Sequence, residues 1–172
     1  MDFIDLVTQV IDLRSFSNLW YWIVLAILWS TLSHWVMGIP YHLVQRARRG
    51  DEDSARDLQT LAEVNSRRIV ELADMSGTAM MATSTFVVTA LLVLGWGYRV
   101  EFCQAVVLLL LPLILVTALS IRTAMVLRRT GFENLPIRLR NHRLIVQAMG
   151  IVFIFLTAFW GMYTNVTISP FL

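Results

Sequence analysis

The sequence predicts an all-α membrane protein: a four-helix transmembrane bundle with an N-terminal amphipathic surface helix and a cytoplasmic extension of transmembrane helix 2. Three observations lead there. Four blocks (18–38, 77–97, 102–121 and 144–163) hold no Asp, Glu or Arg. Each is 20 or 21 residues long, the length a helix needs to cross about 30 Å of hydrocarbon. Charged residues make up only 15% of the chain, against about 25% in soluble domains. This pattern excludes a soluble globular domain, a disordered tail and a nucleic-acid-binding module. With no internal repeat or low-complexity linker, the 172 residues read as a single membrane domain.

Residues 2–14 come first. At 100° per residue, Phe3, Ile4, Leu6, Val7, Val10, Ile11 and Leu13 fill one half-circle, and Asp2, Asp5, Thr8, Gln9 and Asp12 fill the other. That is the pattern of a helix lying on a membrane surface. The acidic start, without a basic n-region, does not read as a cleavable signal peptide. Ser15 to Asn18 supply capping residues before the first span.

The backbone of each apolar block has no water to bond within a bilayer, so each is expected to be helical. None shows the alternation of a membrane β-strand. Orientation follows from arginine, since all 14 cations are Arg. The 39–76 connection carries Arg46, Arg48, Arg49, Arg56, Arg67 and Arg68, and the 122–143 connection carries Arg122, Arg128, Arg129, Arg138, Arg140 and Arg143. Only Arg14 and Arg99 lie on the other side. The positive-inside rule makes both rich connections cytoplasmic and turns both termini away from the cytoplasm. Trp20, Tyr21, Trp22, Trp96, Tyr98, Trp160 and Tyr163 fall at the outer ends and Trp35 and Tyr41 at the inner ends, as interfacial rings do.

In the 39–76 connection, Gly38-Ile39-Pro40 reads as a helix stop. The acidic run Asp51-Glu52-Asp53 reads as a turn, and Ser54 with Asp57 resembles a capping box. From there apolar residues recur at helical spacing without a stop, so one long helix is expected to run into the second span. Its stripe of Leu58, Leu61, Ile69 and Leu72 is the candidate partner-docking surface, because lipid cannot cover side chains standing beyond the bilayer. The competing arrangements fold that stripe onto Leu135, Ile137 and Leu139 or lay it on the lipid surface. In the 122–143 connection, Gly131 reads as a C-cap and Pro136 as the first turn of the last helix. Arg122, Arg128, Arg129, Arg138, Arg140 and Arg143 are expected to meet lipid headgroups.

Little in the sequence carries chemistry. No carboxylate lies within a span, which disfavours proton-coupled transport and intramembrane aspartyl proteolysis. A single cysteine, Cys103, excludes an internal disulfide and a cysteine-rich cluster site. There is no phosphate loop, serine-nucleophile elbow or zinc-protease pattern. His34, His42 and His142 are the candidates for a haem or metal site, since imidazole is a common ligand, but their spacing fits no ligand motif. The expectation is therefore no enzyme and no cofactor. The sequence points to an accessory, scaffold or assembly subunit of a membrane complex or homo-oligomer, in contact with lipid and with protein but not with nucleic acid. Two alternatives stand beside it: a small oligomeric channel or transporter lined by Ser and Thr, and a haem- or metal-binding redox protein.

The stretch Asp12-Leu13-Arg14-Ser15-Phe16-Ser17-Asn18-Leu19-Trp20-Tyr21-Trp22, with Ser33-His34-Trp35 and Tyr98-Arg99-Val100-Glu101-Phe102, resembles a family of small alphaproteobacterial membrane proteins. That Rhodobacter–Roseobacter family is often described as a component of the Suf iron–sulfur assembly complex. The resemblance implies a membrane tether for that machinery and transfers no catalytic residue.

Overall fold

A computed structural model describes residues 16–168, with side chains to Val166. The expected surface helix at 2–14 lies outside the described residues. Apart from one short hairpin and the connecting turns, the chain within them is helical. Its elements are α1 (Leu19–His34), β1 (Trp35–Val36), β2 (Ile39–Pro40), α2 (Tyr41–Arg48), α3 (Glu52–Leu92), α4 (Glu101–Arg129) and α5 (Leu135–Ile168). A π-helical turn, Val93–Gly97, ends α3. Among the described residues, three helical segments are long and apolar enough to cross a membrane: Glu52–Gly97, Glu101–Arg129 and Leu135–Val166.

The first apolar block folds differently from the expected uninterrupted span. Asn18 N-caps α1 by accepting from the Trp20 backbone N–H at 3.0 Å. The helix then stops after 16 residues, at His34. Trp35 and Val36 pair with Pro40 and Ile39 in an antiparallel hairpin. Met37 and Gly38 form its two-residue turn, both at positive φ (54° and 76°), as the tight hairpin turn matching strand twist requires. The hairpin is anchored by burial: Val36 is 2% exposed and Ile39 0%.

Although short, α1 covers the bundle from end to end. At one end the Phe16 N–H donates to Glu101 Oε1 at 2.7 Å, and Ser17 Oγ donates to Asn165 Oδ1 at 2.7 Å. At the other end Arg143 Nε donates to the Ser33 carbonyl at 3.0 Å. Between them Leu25 and Trp29 pack with Val116 of α4 and Val146 of α5. Trp29 packs closely on Gly150, where a Cβ would come within 2.8 Å of the indole.

The long helix α3 starts earlier than Ser54. Asp51 is its N-cap, with Glu52 and Asp53 in the first turn, where carboxylates meet the positive end of the helix dipole. Ser54 Oγ donates to Asp51 Oδ2 at 2.7 Å, and Arg46 Nη2 bonds the same oxygen at 2.7 Å. The Ser54 hydroxyl, and then Arg46, hold the Asp51 carboxyl below its ordinary pKa. Beyond the cap the helix runs without a break through Gly77. Counting the π-helical turn, it is 46 residues long, about 69 Å at 1.5 Å per residue.

Two cores result. The one just described joins α1, α4 and α5. The second lies at the Arg-rich end, where Val36, Ile39, Val44, Leu58, Ala62, Ala124, Leu127 and Leu139 are buried together. Here both long connections fold back on the helix ends. The apolar segment of α3 has none of its residues buried, against 33% for that of α4. At the far end Gln104 ties the two together. Its Nε2 donates to the Gly95 carbonyl at 2.7 Å, and its Oε1 accepts from Trp160 Nε1 of α5 at 3.0 Å.

Candidate functional site at the arginine-rich end

The sequence treated Leu58, Leu61, Ile69 and Leu72 as one stripe, and the structure divides it. At 100° per residue the four fall within roughly 80° of arc. The core boundary runs through the middle of that arc. Leu58 is 1% exposed and packs with Leu135 and Leu139, and Ile69 packs against the same core. Leu58 is therefore an intramolecular core residue and not a docking residue. Its cover is α2 and the start of α5, which a reading of α3 alone does not show. Leu61 (38% exposed) and Leu72 (61%) stay outside. Val64 and Met75 join them on the same outward arc, both exposed.

The three histidines separate in a similar way. His142 is buried and its Nδ1 lies 3.0 Å from Thr123 Oγ1. That hydroxyl already donates to the Leu119 carbonyl at 2.8 Å. It has one hydrogen, so His142 Nδ1 is the donor of the pair and the ring serves helix packing between α4 and α5. His34 and His42 sit on either side of the hairpin. The turn brings both to one cleft, although α1 and α2 are separate helices. His34 Nδ1 lies 3.3 Å from the Ser30 carbonyl. Among the described residues no group of three or more His, Cys, Asp or Glu is placed to hold a metal ion.

The cleft between α1, the hairpin, α2 and α5 is lined by His34, Trp35, Tyr41, His42, Gln45 and Arg143, with a volume of about 440 Å³. Arg143 is its fixed element. Its guanidinium carbon stands 3.7 Å from the centre of the Tyr41 ring, in cation–π contact, while Nε is held by Ser33. One turn earlier on the same flank of α5, Arg140 has a buried Nε with no hydrogen-bond partner among the described residues. Of the other arginines expected at headgroups, Arg122, Arg128 and Arg129 are exposed. Arg138 is partly buried and donates from Nε to the Glu133 carbonyl at 3.1 Å.

A second, smaller cleft of about 280 Å³ lies under α2 and the α4–α5 turn, lined by Ala47, Ala55, Leu58, Gln59, Phe132 and Leu135 among others. It carries no charged side chain and is a packing gap at the edge of the second core. Little in the sequence foretells the larger cleft. Tyr41 reads from the sequence as an interfacial anchor, and Gln45 carries no signal there. Only the hairpin, which turns at Met37-Gly38, brings them to His34. No family model, curated protein or solved structure matches the chain.

Proposed function

We propose that the chain is a non-catalytic integral subunit of the bacterial inner membrane, an accessory or scaffold component of a larger assembly. In this reading four helices cross the bilayer, the arginine-rich end faces the cytoplasm and both termini are periplasmic. The 12-to-2 division of arginine supports that orientation. The contacts of α1 with both ends of α5 support its crossing. Sixteen helical residues span about 24 Å, and the extended pair Trp35–Val36 adds about 7 Å, close to the hydrocarbon thickness. The hairpin supplies its own backbone partners and buries Val36 and Ile39 in protein, the setting in which non-helical backbone is tolerated at membrane depth.

The observation that carries the functional reading is the outward arc of α3. Leu61, Val64, Leu72 and Met75 lie on one side of the helix and are exposed. Leu61 and Val64 stand well before the apolar segment that begins at Gly77, beyond the reach of lipid. Such an arc fits the helix-in-groove mode of recognition. By the resemblance, its partner is iron–sulfur assembly machinery tethered to the membrane.

The test is Leu61→Glu with Leu72→Glu, followed by mild-detergent co-purification and mass spectrometry. The expected result is a protein that inserts and melts like the wild type but has lost a co-purifying partner. Leu58→Glu, by contrast, buries a carboxylate in the second core and is expected to destabilise the protein itself. If the double variant keeps every partner of the wild type, or if the wild type brings none, the docking role is wrong.

A further inference from the structure

We propose that the cleft lined by His34, Trp35, Tyr41, His42, Gln45 and Arg143 is a binding site for the phosphate of an anionic phospholipid from the leaflet at the arginine-rich end. The proposal rests on the membrane reading above, which sets this cleft at headgroup level.

Four features of the cleft point to that ligand. The first is charge. Arg143 and two imidazoles line it, and among the described residues no carboxylate does. Asp51, on the turn after α2, is engaged by Arg46 through Nε at 3.0 Å and Nη2 at 2.7 Å. The second is pre-organisation. Ser33 takes the Arg143 Nε and the Tyr41 ring supports the guanidinium face. A guanidinium has five N–H donors in a rigid fork, and only Nε is used among the described residues. The terminal donors are thus held in place with no protein acceptor, the arrangement that suits two phosphate oxygens.

The third feature is the mixed lining. Trp35 is 53% exposed at the rim, and with Tyr41 it offers apolar surface for glycerol and the first acyl carbons. The fourth is size and position. A volume of about 440 Å³ lies within the range of roughly 300–1,000 Å³ for ligand sites. The cleft opens where α1 ends, below the exposed, apolar Val24 and Ile27, so a lipid seated there keeps its chains along α1. A soluble phosphate would meet the same donors but leave that apolar path empty. Arg140, with its unpartnered Nε, adds positive potential one turn away.

The experiment reconstitutes the full chain in nanodiscs of phosphatidylcholine with phosphatidylglycerol, extracts it in mild detergent and counts retained phosphatidylglycerol by native mass spectrometry. The wild type is expected to retain one molecule. Arg143→Ala and Gln45→Glu are expected to weaken retention about tenfold, the effect of a lost or opposed charge-assisted hydrogen bond. Gln45 is exposed and Glu has its shape, so this variant reports on the site even if Arg143→Ala misfolds. Arg128→Ala with Arg129→Ala, which removes exposed charge elsewhere at the same end, is expected to retain the lipid. Inorganic phosphate at millimolar concentration is expected to leave retention unchanged. Equal retention by Gln45→Glu and wild type overturns the site. Displacement by inorganic phosphate overturns its lipid source. Failure of the wild type to enter nanodiscs overturns the membrane reading itself and is seen before any lipid is counted.

Discussion

Gly150→Leu is expected to give the largest loss of stability of any single replacement in the membrane half, by detaching α1 from α5. A Cβ at Gly150 would lie 2.8 Å from Trp29 Cε3 and 3.1 Å from Cζ3. Trp29 is 5% exposed and boxed in by Leu25, Val116 and Val146, so the ring has little room to retreat. Overpacking of this kind costs about 1–3 kcal/mol or more. Two opposing effects bear on the smaller change. Gly150→Ala gains up to about 1 kcal/mol of helix propensity and loses close contact with the indole. The clash is with an aromatic ring and not a flexible chain end, so a net loss is expected for Ala and a larger one for Leu. Thermal unfolding in detergent measures both. The indole is the cause if Trp29→Ala makes the Gly150→Leu penalty much smaller, a non-additivity expected only for residues in contact. A Gly150→Leu protein as stable as wild type would mean that α1 does not pack there.

The second large effect is expected at Gln104. Gln104→Leu keeps the volume and removes both hydrogen bonds that join α3, α4 and α5 at the far end. The Gly95 carbonyl and the Trp160 indole N–H are left without them. Interhelical bonds in membranes measure about 0.6–2 kcal/mol each, and a buried group left unpaired costs about 1–3 kcal/mol. A loss of about 1–3 kcal/mol is expected for the pair. The control is Thr117→Val, whose hydroxyl only bonds back to the Leu113 carbonyl of its own helix and is expected to change stability little. Gly95→Ala acts on the same joint, because its Cβ would come within 3.0 Å of Gln104 Cγ and 3.2 Å of the Gln104 backbone nitrogen. Trp160 also packs against Trp96 and Tyr163, at 5.5 and 5.7 Å between ring centres. Loss of the Gln104 bond should therefore shift tryptophan fluorescence along with the melting temperature. Equal stability of Gln104→Leu and Thr117→Val would show that the joint contributes nothing.

These two sites mark where sequence reading stops. Helix α3 was legible because nothing between Asp51 and Gly97 breaks a helix, and its apolar half announces itself by composition. Composition could not place the end of α1. Residues 35–38 are apolar, so the block runs on to Gly38, while the backbone has already turned into a hairpin. The turn was concealed by Met37, an uncommon residue at a position that favours Asn or Asp. The stripe on α3 was found but its limits were not. Whether Leu58 or Leu61 is covered depends on where α2 lies, and α2 is placed by the hairpin. The same dependence hides the cleft, since His34, Tyr41 and Arg143 come from three elements brought together by one turn. The role of Gln104 was foreshadowed only by its being a lone amide near the end of an apolar block. Arginine counting needed none of this, because it depends on which connection a residue belongs to and not on its contacts.

The central claim is that α1, α3, α4 and α5 all cross the membrane with the arginine-rich end inside. Single cysteines at Ser17, Gln59 and Tyr98, in a Cys103→Ala background, test it most directly. All three positions are exposed. They lie before α1, within the arginine-rich half of α3 and in the turn before α4. With an impermeant maleimide on intact spheroplasts, Ser17→Cys and Tyr98→Cys are expected to label, and Gln59→Cys only after lysis. Labelling of Tyr98→Cys with protection of Ser17→Cys would mean that α1 does not cross, and labelling of Gln59→Cys on intact cells would invert the whole arrangement.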